Sequence, residues 1–169
     1  MKVAGGAKAT VLANAMRGAP PNGGLLEIGT YCGYSAIRLA MAVPGTRITS
    51  LELDPVHVMI ARNVLAFAGL AGTVDVCTGH SSYLLPRLAA QRAHQHQPLF
   101  SGVFMDQRGS RYEEDLGELE RSGVLVPGAV IVADNVLKPG APLFLWHVLR
   151  RGAAFDTRVV RVREFAMPA

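Results

Sequence analysis

The chain is short of several things, and each shortage removes a class of protein. Only two cysteines are present, Cys32 and Cys77, without C-x-x-C spacing; this fits buried thiols in a reducing compartment rather than a disulfide framework. No apolar run approaches the roughly 20 residues that a membrane helix needs, so no membrane segment is predicted in this chain. Asn14, Arg17 and the turn Pro20-Pro21-Asn22-Gly23-Gly24 spoil the N-terminus as a secretory signal, and none is expected there. Net charge is low, at +4. Arginines 150, 151, 158, 161 and 163 crowd the C-terminal end, but no basic-aromatic alternation suggests a nucleic-acid platform, and a solvated edge strand is the simpler reading. Internal repeats are absent. His94-x-His96 lacks a third ligand and reads as part of a polar loop. With half of its 169 residues hydrophobic and 18% charged, the chain is not disordered. We expect one soluble, cytoplasmic enzyme domain covering residues 1–169.

What is present is an alternation of apolar runs and amphipathic stretches. Strands are expected at 25–29, 48–53, 74–78, 100–105 and 129–133. Helices are expected at 7–16, 33–43, from Pro55 to about 68, from Ser81 or Ser82 as cap into 91–97, at 112–121 and at 142–150. Asp54-Pro55 pairs a capping acid with a helix-opening proline. Apolar residues at 56, 60, 64, 65 and 68 repeat with a helical period. Residues 155–163 read as a β-branched, arginine-bearing edge strand. Strands alternating with helices predict an α/β, Rossmann-like fold, an open and mostly parallel sheet with helices on both faces.

A further absence is informative. The stretch Leu25-Leu26-Glu27-Ile28-Gly29-Thr30-Tyr31-Cys32-Gly33-Tyr34-Ser35 reads as strand, tight turn and helix start. In the dinucleotide fingerprint a second glycine admits a pyrophosphate; here Tyr31 stands in that place. The loop therefore suits a ligand without phosphates, such as S-adenosylmethionine, better than NAD. Ligands of open α/β sheets bind at the carboxyl ends of the strands. Strand two ends in Glu52, an acid suited to both ribose hydroxyls of an adenosine, while Asp54 suits the capping role. Strand four ends in Asp106, and strand five in Asp134-Asn135. Hard oxygen donors on neighbouring strands suit Mg²⁺, whose charge would offset the cost of burying them. The simpler alternative makes Asp106 a helix cap and Asn135 a turn residue.

These pieces together resemble the catechol O-methyltransferase family. The resemblance rests on LLEIGTYCGYSAIRLA at 25–40, ITSLELDP at 48–55, LAFAGL at 65–70, VFMDQRGSRY at 103–112 and VLVPGAVIVADNVLKPGAP at 124–142, with VREF at 162–165 more loosely. It implies a class I methyltransferase fold and transfer of a methyl group from S-adenosylmethionine to one hydroxyl of a Mg²⁺-chelated catechol. By the same resemblance, Val3 (through its backbone) and Ser35 would hold the cofactor carboxylate. Glu27 and Gly29 would line its methionine end, Glu52 would grip the ribose, and Ser81 would sit at the adenine. Asp106, Asp134 and Asn135 would hold Mg²⁺, Glu164 would hold the substrate's second hydroxyl, and Pro139 would wall the catechol slot.

The chain departs from the family pattern in three places. Members usually carry Trp-Lys two and three residues after the metal-binding aspartate, the lysine acting as general base; here those positions are Arg108 and Gly109. Arginine stays protonated and is a poor base, and Lys138 is the candidate substitute. Arg108 and the stretch 136–145 are similar to the transmembrane O-methyltransferase branch of the family, though all three metal positions are kept. Members also have helices ahead of the Val3 position and a last strand beyond Glu164. Without these the chain is expected to leave an unpaired β edge, covered by a protein partner or a second copy. Two alternatives accompany the catechol reading: a catalytically weak S-adenosylmethionine-binding protein that acts through a partner, and a methyltransferase for another vicinal diol such as a phenylpropanoid.

Overall fold

A computed structural model describes residues 5–150 and 152–162. Five strands, β1 (Gly24–Ile28), β2 (Ile48–Glu52), β3 (Val74–Thr78), β4 (Phe100–Met105) and β5 (Leu125–Ala133), form one sheet in the order β3-β2-β1-β4-β5. Every pairing is parallel. The helices among the described residues are α1 (Ala7–Arg17), α2 (Tyr34–Ala42), α3 (Pro55–Phe67), α4 (Ser81–Gln95), α5 (Tyr112–Arg121) and α6 (Pro142–Leu149). A 3-10 turn (Gly109–Arg111) precedes α5, and a π-type turn (Val136–Gly140) precedes α6.

The two-residue period of the strands divides the core in two. Leu25, Ile48, Val74, Val76 and Phe104 face a cluster with Leu12 and Met16 of α1, Leu39 of α2, and Val58 and Leu65 of α3. Leu26, Ile28, Val103 and Met105 face the opposite cluster, with Leu85 of α4, Leu116 and Leu119 of α5, and Phe144 and Val148 of α6. Both faces of the parallel sheet are thus covered, as its unbroken apolar strands require. The chain reverses direction across the sheet between β1 and β4, so the crevice at their carboxyl ends is the topological switch point where ligands of such folds bind.

Three expectations are corrected. First, residues 155–162 form no strand. Phe155 instead packs on the α5–α6 cluster, and Thr157 Oγ1 donates to Val148 O at 3.0 Å. β-branched composition does not make a strand without a ladder to join, and β5 is a poor ladder near its start. Its pairing with β4 jumps from Phe100↔Leu125 to Gly102↔Val130. Pro127 has no N–H to offer there, and Gly128 lies at φ 77°. Second, neither Ser81 nor Ser82 caps α4: His80 does, its Nδ1 accepting the Ser82 N–H at 3.2 Å. Third, β5 starts at Leu125 rather than 129. Asp54 caps α3 as expected, accepting the Val56 N–H at 2.8 Å.

Candidate active site

The loop between β1 and α2 makes the floor of the cleft by turning left-handed three times, at Gly29 (φ 102°), Tyr31 (φ 50°) and Gly33 (φ 86°). At Gly29 no side chain fits: a Cβ there would lie 2.9 Å from the Asp106 carbonyl. The loop of strand one and the end of strand four thus touch backbone to backbone, and Asp106 N–H donates to Ile28 O at 2.9 Å. Tyr31 accepts a conformation that costs a non-glycine residue about 1–2 kcal/mol. It is held there by its N–H, which donates to Glu52 Oε2 at 2.8 Å, and by an edge-on contact with the His57 ring at 4.6 Å.

Glu52 is therefore fixed before any ligand arrives, since its Oε1 also accepts the Asp54 N–H at 2.9 Å. Its remaining lone pairs face a cleft of about 790 Å³ that Gly29, Tyr31, Ser35, Glu52, His57, Ser81, Asp106 and Arg108 help to line. Beneath the loop, outside the cleft wall, lies Glu27, fully buried in the central strand. Thr30 Oγ1 and Ser50 Oγ are 2.5 Å apart, and Ser50 Oγ donates to Glu27 Oε2. Glu27 Oε1 has no partner. Burial pushes its carboxyl up to about 7; nearby Asp106 and Glu52 add to this, while the nearby hydroxyls of Ser35 and Ser50 oppose it.

Asp106 emerges from β4 and caps no helix; Arg108 opens the following 3-10 turn. Burial, then the neighbouring charge of Asp134, raises its carboxyl to about 7, against the lowering effect of Lys8. Asp134 follows β5, its Oδ1 accepting the Asn135 N–H at 2.7 Å and its Oδ2 the Lys8 ammonium at 2.9 Å. Asn135 turns the chain at φ 57°. The buried Tyr112 hydroxyl ties the two strand ends together, donating toward Met105 O at 3.0 Å and Asp134 O at 2.9 Å. Two acids and a carboxamide at adjacent strand ends form a hard-oxygen set that suits Mg²⁺. Among the described residues no group of three or more His, Cys, Asp or Glu side chains is placed to hold a metal ion.

Of the residues singled out in the sequence, the cleft collects Gly29, Ser35, Glu52, Ser81 and Asp106. Asp134 and Asn135 sit on the next strand end, with Asp134 within electrostatic reach of Asp106. Lys138 is exposed and is not part of the cleft wall. Gly109 packs so closely that a Cβ would lie 2.7 Å from Gly140 O. Val3 and Glu164 lie outside the described residues. Sequence reasoning passed over Lys8, Tyr112, Ser50 and Asp115. Asp115 is buried and accepts from Ser81 Oγ at 2.9 Å and Gln107 Nε2 at 2.8 Å, which fixes the cleft's far wall. Its signal was legible: Tyr112, Asp115, Leu116 and Leu119 share one buried helical stripe, and an acid on such a stripe needs partners.

A parallel five-stranded sheet, a left-handed loop after β1 and an acid closing β2 define a class I methyltransferase fold. Comparison with known proteins agrees: residues 20–144 match the O-methyltransferase family model, and the chain belongs to that family. Pig catechol O-methyltransferase is 43% identical over 125 residues, covering 73% of this chain and 66% of its own length. The mouse transmembrane O-methyltransferase homolog is 39% identical over the same length, covering 73% of this chain and 47% of its own. Among solved structures, the O-methyltransferase TomG of Streptomyces achromogenes, involved in tomaymycin synthesis and determined with SAM, aligns with a TM-score of 0.67. It is 32% identical, over 79% of this chain and 57% of its own. The chain spans about half to two thirds of the length of the curated relatives it matches. No described helix is long and apolar enough to cross a membrane.

Proposed function

We propose that this chain carries an S-adenosylmethionine- and Mg²⁺-dependent O-methyltransferase site for a catechol-type acceptor. The observation that carries this reading is the pair Asp106 and Asp134 at the adjacent ends of β4 and β5, with Asp106 also in the wall of the cleft. S-adenosylmethionine supplies the methyl group as an electrophile on a positively charged sulfonium. The residues present fit such a cation. Glu27 holds a buried, unpartnered oxygen under the loop, and Glu52, Asp54 and Asp106 line the cleft. Glu52 is pre-positioned by two backbone N–H groups to accept from a ribose. No side chain caps α2, so its first-turn N–H groups and Ser35 are available to a cofactor carboxylate. Ser81, held by Asp115, stands at the adenine end.

Asp106, Asp134 and Asn135 would hold Mg²⁺, which when bound would anchor both catechol oxygens and lower the phenol pKa toward neutrality. The protein's own part is positional. Tyr112 keeps the ends of β4 and β5 in register, and the Gly29–Asp106 backbone contact fixes the distance between cofactor loop and metal donors. Holding the nucleophile and the methyl carbon in line is the main task of such a transfer.

Purified protein incubated with labelled S-adenosylmethionine, Mg²⁺ and dopamine tests the reading. Methyl transfer that disappears on chelation is expected. No transfer above an Asp134→Ala control would refute it.

A further inference from the structure

Lys8, in the first turn of α1, places its ammonium 2.9 Å from Asp134 Oδ2, with 16% and 17% of the two side chains left exposed. The other oxygen of that carboxylate accepts the Asn135 N–H, so both are engaged without a metal. A cation at a helix N-terminus is disfavoured by the helix dipole, and Gly6 contributes no side-chain cap there; the pairing with Asp134 offsets that local cost. Mg²⁺ binds carboxylate oxygens at about 2.0–2.1 Å. An ammonium staying on the same oxygen would lie on the order of 4 Å from it, where like charges repel.

Building on the assignment of Asp106, Asp134 and Asn135 to the metal, we propose that Lys8 is a built-in counter-ion of Asp134 that a divalent cation must displace. Metal loading and docking of the first turn of α1 are then opposed. The ammonium compensates Asp134 in the metal-free protein, and the same contact weakens metal affinity. The contact joins residues far apart in sequence, so metal occupancy is transmitted to a helix that packs Leu12 and Met16 against the sheet. Lys8 is a positioning residue: it acts through Asp134 and has no part in the chemistry.

The test uses the full chain and Mn²⁺, an oxygen-liganded divalent ion visible by electron paramagnetic resonance. Wild type, Lys8→Met and Asp134→Asn are titrated, and amide hydrogen exchange in α1 is followed with and without Mn²⁺. Lys8→Met is expected to bind Mn²⁺ about fivefold more tightly than wild type, the scale of a partly exposed ion pair. Mn²⁺ is expected to speed exchange in the first turn of α1 in wild type but not in Lys8→Met. Unchanged or weaker binding by Lys8→Met, with Asp134→Asn still weaker than wild type, overturns the role of Lys8 and leaves the metal reading standing. Absence of Mn²⁺ binding in all three overturns both. If Lys8→Met does not fold, Lys8→Gln, which keeps a hydrogen-bond donor, takes its place with the same expectations.

Discussion

Replacing Glu27 by glutamine should change how stability depends on pH. The carboxyl sits at 0% exposure in the central strand, raised from 4.5 to about 7 mainly by burial. A carboxyl with a folded-state pKa above its unfolded value binds more protons when folded. Its contribution to stability is complete below pH 4.5 and is lost as pH rises through 7. At 1.36 kcal/mol per pH unit, that window amounts to about 3 kcal/mol. Glutamine keeps an oxygen to accept from Ser50 but cannot ionise. Its amide would meet the place where Oε1 has no partner, for a pH-independent cost of about 1–3 kcal/mol. Urea unfolding at steps from pH 4.5 to 8 measures both effects. Asp106, also raised to about 7, gives both proteins a slope of the same sign, so the difference between the two curves reports Glu27. Wild type should lose about 3 kcal/mol more than Glu27→Gln across the window. Parallel curves would show that Glu27 is not a neutral acid at rest, and the argument from its buried, unpartnered oxygen would fail.

Other changes probe the remaining contacts. Tyr112→Phe removes a hydroxyl shared by Met105 O and Asp134 O and should cost about 1–2 kcal/mol in urea unfolding; no loss would mean the strand ends are held otherwise. Gly29→Ala puts a Cβ 2.9 Å from the Asp106 carbonyl at φ 102°. The expected loss is about 2–4 kcal/mol, together with S-adenosylmethionine binding measured by calorimetry. Gly109→Lys meets Gly140 O at 2.7 Å and should destabilise by about 1–3 kcal/mol without speeding methyl transfer. A faster enzyme would refute the steric account.

What the sequence disclosed, and what it withheld, follows from the range of the interactions involved. Strand and helix periods are local, and so is the cap Asp54-Pro55; these elements stand within a few residues of their expected places. The cleft was legible because strand-end acids follow from topology: once β1, β2 and β4 are parallel neighbours, Gly29, Glu52 and Asp106 emerge at one rim. Residues 155–162 misled because strand formation needs a neighbour, and Pro127-Gly128 disrupts the start of β5. His80 was missed as a cap because the hydroxyls of Ser81 and Ser82 are the commoner capping groups. In the structure the Ser81 hydroxyl is spent on Asp115. Lys8 had no local signal at all, since its partner is reached only through the tertiary fold.

The missing lysine at 109 and the turn at 136–140 are one structural fact. Asn135 turns left-handed, and the following Val136–Gly140 turn brings Gly140 O against Gly109, where no Cβ fits. The loop after β5 therefore occupies space that a side chain at 109 would need, and Lys138 of that same turn does not line the cleft. If the acceptor hydroxyl loses its proton without a lysine, deprotonation depends on the acidity of the bound phenol and on hydroxide from solvent. The acidic limb of the pH–rate profile should then lie at higher pH than in a family member that carries the lysine, assayed with the same acceptor and metal. Superimposable acidic limbs would mean that another group on this chain takes the proton, and the link between Gly109 and the chemistry would be broken.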